Sequence, residues 1–325
     1  MANSRGRMLA AAAGLAVLIA ACGGGGSQGT GQPTGSSGSA SPKLSGAVKI
    51  DGSSTVFPIS EAMAEEFGKK HRDVKVTVGI SGTGGGFKKF CNGETDISDA
   101  SRPIKDTEKA DCDKNAIKYT ELQVAIDGLS VVVNPQATWV DCLTTAELRK
   151  VWDTGSTIKN WKDIRGGFPD VELKLFGAGS DSGTFDYFTE AINGKEKQTR
   201  SDYTASEDDN TLVQGVSGNR GALGYFGFAY YVENKSKLKV LKIDDGKGGG
   251  CVEPNDTTIA NYTYKPLARP IFIYPKTESL KRPEVLEFVR FYLDKANTKL
   301  IKQVGYIVAP DKVYTDGMAK VDAAK

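Results

Sequence analysis

Three short stretches place hydroxyl side chains and glycines together where a strand-like run gives way to a helix-like one. They are Asp51-Gly52-Ser53-Ser54-Thr55-Val56-Phe57-Pro58, Ser81-Gly82-Thr83-Gly84-Gly85-Gly86-Phe87 and Gly177-Ala178-Gly179-Ser180-Asp181-Ser182-Gly183-Thr184. The first turn of a helix leaves backbone N–H groups without partners, and the helix dipole favours negative charge there. Glycine lets a ligand approach the backbone closely, and hydroxyls add donors without adding formal charge. The chemistry such loops offer is a cradle for a small oxyanion. Any one of them alone is explained as well by N-capping and turn formation. Three of them at the ligand-binding edge of an open α/β sheet favour the cradle.

A fourth segment, Ser98-Asp99-Ala100-Ser101-Arg102-Pro103-Ile104, brings formal charge. Arg102 precedes a proline and is therefore expected in an extended bend. Its planar guanidinium suits bidentate contact with two oxygens of a tetrahedral anion. The plainer alternative is a surface arginine paired with Asp99.

These loops need elements to hold them. Residues 47–50 and 74–80 read as strands, the second with β-branched residues at period two. Ile59, Met63 and Phe67 mark a helix over 59–70. A helix begins at Gly86. Residues 126–133 form a strongly apolar strand, and 145–152 a helix capped by Thr144 or Thr145. Strands are expected at 173–177, 222–226, 240–243 and 271–274, and helices at 184–193, 213–216 and 283–297. The alternation argues for an α/β architecture with largely parallel sheets. No internal repeat is visible.

Lys and Arg number 42 against 40 Asp and Glu, a net charge of +2. That balance argues against a nucleic-acid-binding protein, which normally carries a basic excess or stripe. A bound anion must then be small and held locally. Arg5 and Arg7 precede an unbroken run of apolar and glycine residues from Leu9 to Ala21, too short for the ~20 residues of a membrane-spanning helix. It ends in Ile19-Ala20-Ala21-Cys22, which resembles a bacterial lipobox, and residues 1–22 are read as a lipoprotein signal with Cys22 as the acylated residue. An ordinary secretory signal cleaved near Ala21 is the alternative. Residues 23–45, nearly all Gly, Ser, Thr, Gln and Pro, cannot bury enough apolar surface to fold. As a flexible coil they would span roughly 25 Å, a leash between membrane and folded body.

Export also accounts for Cys91, Cys112, Cys142 and Cys251, which are even in number, widely spaced and free of CxxC pairs. Disulfides are expected rather than a metal site. Of three pairings, Cys91–Cys112 and Cys142–Cys251 are favoured, the first because it is local and the second because it falls within one predicted lobe.

At these same residues the sequence resembles the phosphate-binding proteins of the phosphate-specific ABC transporter, which have a type II periplasmic-binding-protein fold. The likeness runs from Val48 to about Ala309, through DGSSTVFP, SGTGGGFKKF, DASRPI and SDSGTFDYF, supported by SEDDNTLVQGV and ALGYFGFAYY. It implies a two-lobed α/β protein with a hinge and an interlobe ligand cleft. Carried over residue by residue, it implies phosphate contacts from Ser54 and Thr55, from Thr83 with Ser81, and from Ser182, Gly183 and Thr184. Many members place an aspartate where this chain has Ser101, beside Arg102, and an arginine where it has Ala178. Arg102 is then expected to take over the cationic role, with Ser101 beside it. Asp181 is the first candidate for a carboxylate that accepts the phosphate proton and repels sulfate, with Asp51 and Asp99 behind it. The fold implies chain crossings near 123–126 and 268–271, giving a first lobe of residues 46–124 with 271–325 and a second of 125–270.

The function so implied is that of an extracytoplasmic solute-binding lipoprotein in the cell envelope. It would bind inorganic phosphate as a monomer, need no cofactor, touch the membrane through its lipid anchor only, and deliver its ligand to transmembrane permease subunits. The alternatives are a binding protein for sulfate, molybdate or arsenate, or a surface adhesin or hydrolase that reuses the fold. A serine nucleophile needs a base within reach, and the single histidine, His71, sits in Lys69-Lys70-His71-Arg72, a solvated loop. No cluster of His, Asp and Glu suggests metal-assisted chemistry, and Glu207-Asp208-Asp209 reads as a helix cap. The aromatic residues Tyr225, Phe226, Phe228, Tyr230 and Tyr231 read as core.

Overall fold

Alternating burial of Val48 and Ile50 fixes the first strand, and its neighbours follow from the same pattern. The computed structural model describes residues 43–324, so the expected leader, Cys22 and nearly all of the tether lie outside the described residues. In chain order the elements begin β1 (Ser45–Gly52), α1 (Phe57–Lys70), β2 (Asp73–Ile80), α2 (Gly82–Cys91), β3 (Ile97–Ala100) and α3 (Asp106–Lys114). They continue through β4 (Leu122–Val133), β5 (Cys142–Thr144), α4 (Thr145–Trp152), β6 (Lys174–Ala178), α5 (Gly183–Phe188), β7 (Thr204–Ser206) and α6 (Asp209–Ser217). Next come β8 (Ala222–Gly227), α7 (Phe228–Glu233), β9 (Lys239–Val240), β10 (Lys242–Asp244) and α8 (Asp256–Ala260). The chain closes with β11 (Ala268–Pro275), α9 (Pro283–Leu293), α10 (Thr298–Gln303) and α11 (Asp311–Ala323). The described residues pack as one compact unit.

Nine strands form one sheet in the order β2-β1-β3-β11-β4-β8-β6-β7, with β9 also on β4. The expectation of largely parallel sheets needs correcting. β1, β2 and β3 are parallel, as are β8, β6 and β7, but the centre is antiparallel: β11 against β3 and β4, and β4 against β8. The cause is topological. β4 leaves the first parallel set for the second and β11 returns, so the two run in opposite directions. β4 is long enough to serve both sets, pairing with β11 through its first half and with β8 through Leu129–Val133.

Some boundaries moved for local reasons. α2 starts at Gly82, not Gly86, so its glycines lie inside the first turns. The expected helix over 184–193 is α5 followed by a single π turn, Thr189–Asn193. α9 stops at Leu293 because Asp294 turns extended and caps a short 3-10 turn over 295–297. Residues 240–243 split into β9 and β10, which pair with different strands. β3, β5, β7, α3, α7, α8, α10 and α11 have no counterpart among the elements expected from the sequence.

The main core sits between α1, α9 and the sheet, where the rings of Phe288 and Phe291 meet Phe67 edge-on at 5.3 and 5.4 Å. Each such buried side chain contributes about 1.5–3 kcal/mol. Tyr225, Phe226 and Phe228 are buried as expected, and Tyr225 stacks on Phe188 at 3.7 Å. Both expected disulfides are formed: Cys91–Cys112 joins α2 to α3, and Cys142–Cys251 ties β5 to the segment before α8. Among the described residues no helix is long and apolar enough to cross a membrane.

α4 carries a capping box: Thr144 Oγ1 accepts the Glu147 N–H at 3.1 Å and the Glu147 carboxylate accepts the Thr144 N–H at 2.8 Å. Thr144→Ala should therefore cost about 1 kcal/mol. Urea unfolding checks this, with an unchanged midpoint as the contrary result.

Candidate functional site

Because β2, β1 and β3 are neighbours and parallel, their C-terminal ends lie side by side, with Gly52 opposite both Ile80 and Asp99. The first, second and fourth sequence segments therefore leave the sheet at one edge. In the first, Gly52 has φ +152 and lies so close to β3 that a Cβ there would stand 2.1 Å from the Asp99 carbonyl oxygen. The Ser53 N–H donates to that oxygen at 3.0 Å, and Ser53 Oγ accepts the Thr55 N–H at 3.2 Å. The Tyr306 hydroxyl donates to the Thr55 carbonyl at 2.6 Å. Thr55 is buried and Ser54 half-buried.

In the second loop Thr83 is buried, and its Oγ1 lies 3.0 Å from Ser101 Oγ and accepts the Ser101 N–H at 3.1 Å. One hydroxyl of this pair donates to the other, so the pair keeps a single hydroxyl proton for a ligand. Ser81 is exposed and gives its proton to Asp51, whose other oxygen takes Lys89 at 2.6 Å. Each Asp51 oxygen thus accepts from one protein donor.

Arg102 does not pair with Asp99. Glu108 on α3 grips its guanidinium with two bonds, 2.9 and 2.8 Å, and Arg102 Nε is buried without a hydrogen-bond partner. Gly84 lies beside this pair, at 3.9 Å from Arg102 Nη2 to a notional Cβ, so the cation borders the second loop.

In the third loop Ser182 caps α5, its Oγ accepting the Thr184 N–H at 3.2 Å. Gly183 touches the first loop: a Cβ there would stand 2.2 Å from Thr55 Oγ1 and 2.5 Å from Thr55 N. Gly183, between Ser182 and Thr184, is thereby brought to Thr55. Asp181 is exposed, with its N–H donating to Glu207 at 3.2 Å, so it stands at the rim and not in a buried position.

Two residues of this neighbourhood were not singled out from the sequence. Arg269 on β11 and Asp127 on β4 face each other in register and are both buried. Arg269 Nε donates to Asp127 at 3.3 Å, and Arg269 Nη2 donates to Thr55 Oγ1 at 3.0 Å and to the Gly183 carbonyl at 3.4 Å. The guanidinium lies 3.7 Å over the Tyr187 ring. Burial raises the Asp127 carboxyl, and Arg269 pulls it back. The available signal was one charge of each sign inside two otherwise apolar strands.

Asp99 lies behind the first loop, fully buried, with neither carboxylate oxygen hydrogen-bonded. Burial pushes it up to about 7, with a further push from Asp51. The folded protein keeps a proton here that the unfolded chain loses near pH 4, so this group's contribution to stability falls as pH rises from about 4 through 7. Asp99→Asn should flatten that slope in urea midpoints measured at pH 5 and pH 8. A slope unchanged by the substitution would place its cause elsewhere.

The assembled groups are mostly neutral donors: hydroxyls of Ser54, Thr55, Thr83 and Ser101, and the first-turn N–H groups of α2 and α5, bordered by two carboxylate-paired arginines. That suits a compact anion. It does not suit acyl transfer, since His71 ends α1 with its ring 4.5 Å from Phe67 and makes no side-chain hydrogen bond to a serine.

Known proteins resemble the chain over most of its length. The PBP superfamily domain matches residues 37–296. Protein SphX of Synechococcus elongatus is 54% identical over 270 residues, covering 82% of this chain and 79% of its own. Phosphate-binding protein PstS of Staphylococcus haemolyticus is 42% identical over 306 residues, covering 93% and 92%. The crystal structure of a possible phosphate binding protein from Planctomyces limnophilus superposes with a TM-score of 0.82 at 54% identity, covering 86% of this chain and 99% of that one. The chain belongs to the PBP superfamily, within the family of phosphate-binding proteins that serve ABC importers as substrate-binding components and not as enzymes.

Proposed function

We propose that this protein captures inorganic phosphate among these loops and passes it to the transmembrane subunits of an ABC importer. The observation that carries the reading is the meeting of the four segments, with Gly183 against Thr55, Gly86 against Gly52 and Thr83 against Ser101. Ser54, Thr55, Thr83, Ser101, Ser182, Gly183 and Thr184 supply donors that replace the anion's water. Arg102 supplies charge from the bend, held in orientation by Glu108. Ser81 acts through Asp51, which it helps to fix.

Residues 46–124 with 271–325 form one lobe and 125–270 the other, and the shared strands β4 and β11 are the hinge about which they close. Phosphate touching loops of both lobes stabilises the closed form, which links capture to delivery. The body works as a monomer outside the cytoplasm, tethered through an acylated Cys22 and the leash of residues 23–45.

Calorimetry on the protein from residue 42 onward, with phosphate, sulfate and arsenate at two pH values, tests this. Saturable one-to-one binding of phosphate is expected, with sulfate weaker. Absence of phosphate binding, or tighter binding of sulfate, contradicts the reading. Asp181→Asn should leave the preference for phosphate over sulfate unchanged, because an exposed carboxylate at the rim has no desolvated contact with which to reject sulfate. A loss of discrimination would return Asp181 to the site as the proton acceptor.

A further inference from the structure

Asp99 is fully buried on β3, and neither oxygen of its carboxyl has a hydrogen-bond partner. A carboxylate denied both water and a cation is strongly disfavoured, so a group placed in this way keeps its proton. We propose that Asp99 sets phosphate affinity through space: protonated, it lets the loops accept the anion, and ionised, it repels the anion from behind them. This rests on the phosphate reading and concerns a residue that does not touch the ligand.

The sheet fixes the placement. Asp99 lies opposite Gly52 in register, and its carbonyl takes the Ser53 N–H at 3.0 Å, so its backbone is the floor of the first loop. Two residues on, Ser101 meets Thr83 of the second loop. Ile97 and Asp99 alternate along one strand and so share a face, the one that packs on α1 and α9, while Ala100 packs with Phe87 on the other. Asp99 and these neighbours all belong to the first lobe, so opening and closing of the hinge leaves the arrangement in place.

Nothing around the carboxyl supplies a counter-charge. α1 and α9 bring Ser60 and Tyr292, whose hydroxyls lie 3.1 Å from each other. Across the strand pairs stand Gly52 on β1 and Ile273 on β11, both uncharged. The charge that acts on Asp99 is Asp51, whose side chain is engaged with Ser81 and Lys89 and whose sign strengthens the hold on the proton. Among the described residues no Lys, Arg or His side chain bonds to it. Coupling is mutual: bound phosphate must raise the proton affinity of Asp99 by the factor by which ionisation weakens phosphate. Charges about two strand spacings apart, ~10 Å, in a medium of effective dielectric constant about 20 change an equilibrium roughly tenfold.

The test measures phosphate affinity of wild type and Asp99→Asn by calorimetry at about pH 5.5 and about pH 9. The ratio of the two proteins cancels the ionisation of phosphate itself. They should bind alike at the lower pH, and wild type should bind roughly tenfold more weakly at the higher one. The Asp99 carboxyl carbon, followed by NMR in wild type, needs no variant: its titration midpoint should rise by about one pH unit when phosphate saturates. A ratio that does not change with pH, or a midpoint indifferent to phosphate, overturns the proposal and leaves the functional reading standing. If wild type binds no phosphate even at the lower pH, where Asp99 is neutral, the functional reading fails and takes the proposal with it.

Discussion

Gly183→Ala is expected to leave the protein folded, with unchanged urea midpoint, and to weaken phosphate binding roughly 100-fold. The reason is where the added methyl lands. It would stand 2.2 Å from Thr55 Oγ1, 2.5 Å from Thr55 N and 2.6 Å from Thr55 Cα, and two of those atoms are backbone. A flexible side chain could rotate away, but the first loop cannot, because Ser53 is bonded to Asp99 and the Thr55 carbonyl to Tyr306. The two loops must therefore separate by about an ångström, and displacements of that size cost about two orders of magnitude where a rigid constellation has to meet a small guest. Alanine is well tolerated at the start of a helix, so α5 itself should not suffer. Calorimetry reads the outcome, and wild-type affinity would mean that the third loop does not share the ligand with the first.

The second large effect concerns stability. Cys142 and Cys251 enclose a sequence separation of 109 residues, against 21 for Cys91 and Cys112. Loop-closure entropy in the unfolded chain scales with the logarithm of that length, giving about 4.7 kcal/mol for a loop of ~100 residues and roughly 3 kcal/mol for one of ~20. Cys142→Ser with Cys251→Ser should thus destabilise the protein more than Cys91→Ser with Cys112→Ser. The long bridge spans most of the inserted segment between β4 and β11, while the short one only pins α3 to α2. Urea unfolding under oxidising conditions checks the order. Equal losses, or a larger loss from the short bridge, would show that native packing around the sulfurs outweighs chain entropy.

Much of the site could be read from the residues because its chemistry is local. A helix start preceded by Ser, Thr and Gly declares its free N–H groups in the sequence, and DGSST, SGTGGG and SDSGT each occupy such a start. The pairings that depend on distant segments were not legible. Arg102 meets Glu108, which lies on a helix that the sequence did not suggest: Asp106–Lys114 carries mostly charged residues and buries only Cys112, so it has no apolar stripe to betray it. Arg269 and Asp127 meet because β11 and β4 pair antiparallel, a consequence of chain crossings that no periodicity reveals. The same crossings explain why the sheet is mixed. Short strands such as Ile97–Ala100, buried on both faces, present too few residues for a pattern to stand out. Which way a loop side chain such as Asp181 faces is set by the packing of the loop and not by its neighbours in sequence, and Asp181 is exposed.

The central claim is that one anion sits where these loops converge, and arsenate, a tetrahedral stand-in for phosphate with a usable X-ray edge, locates it directly. Anomalous diffraction from crystals grown with arsenate should give a single strong peak within hydrogen-bond reach of Thr55, Thr83, Ser101 and Gly183. A peak elsewhere on the molecule, or none at an arsenate concentration that saturates in calorimetry, would contradict the account.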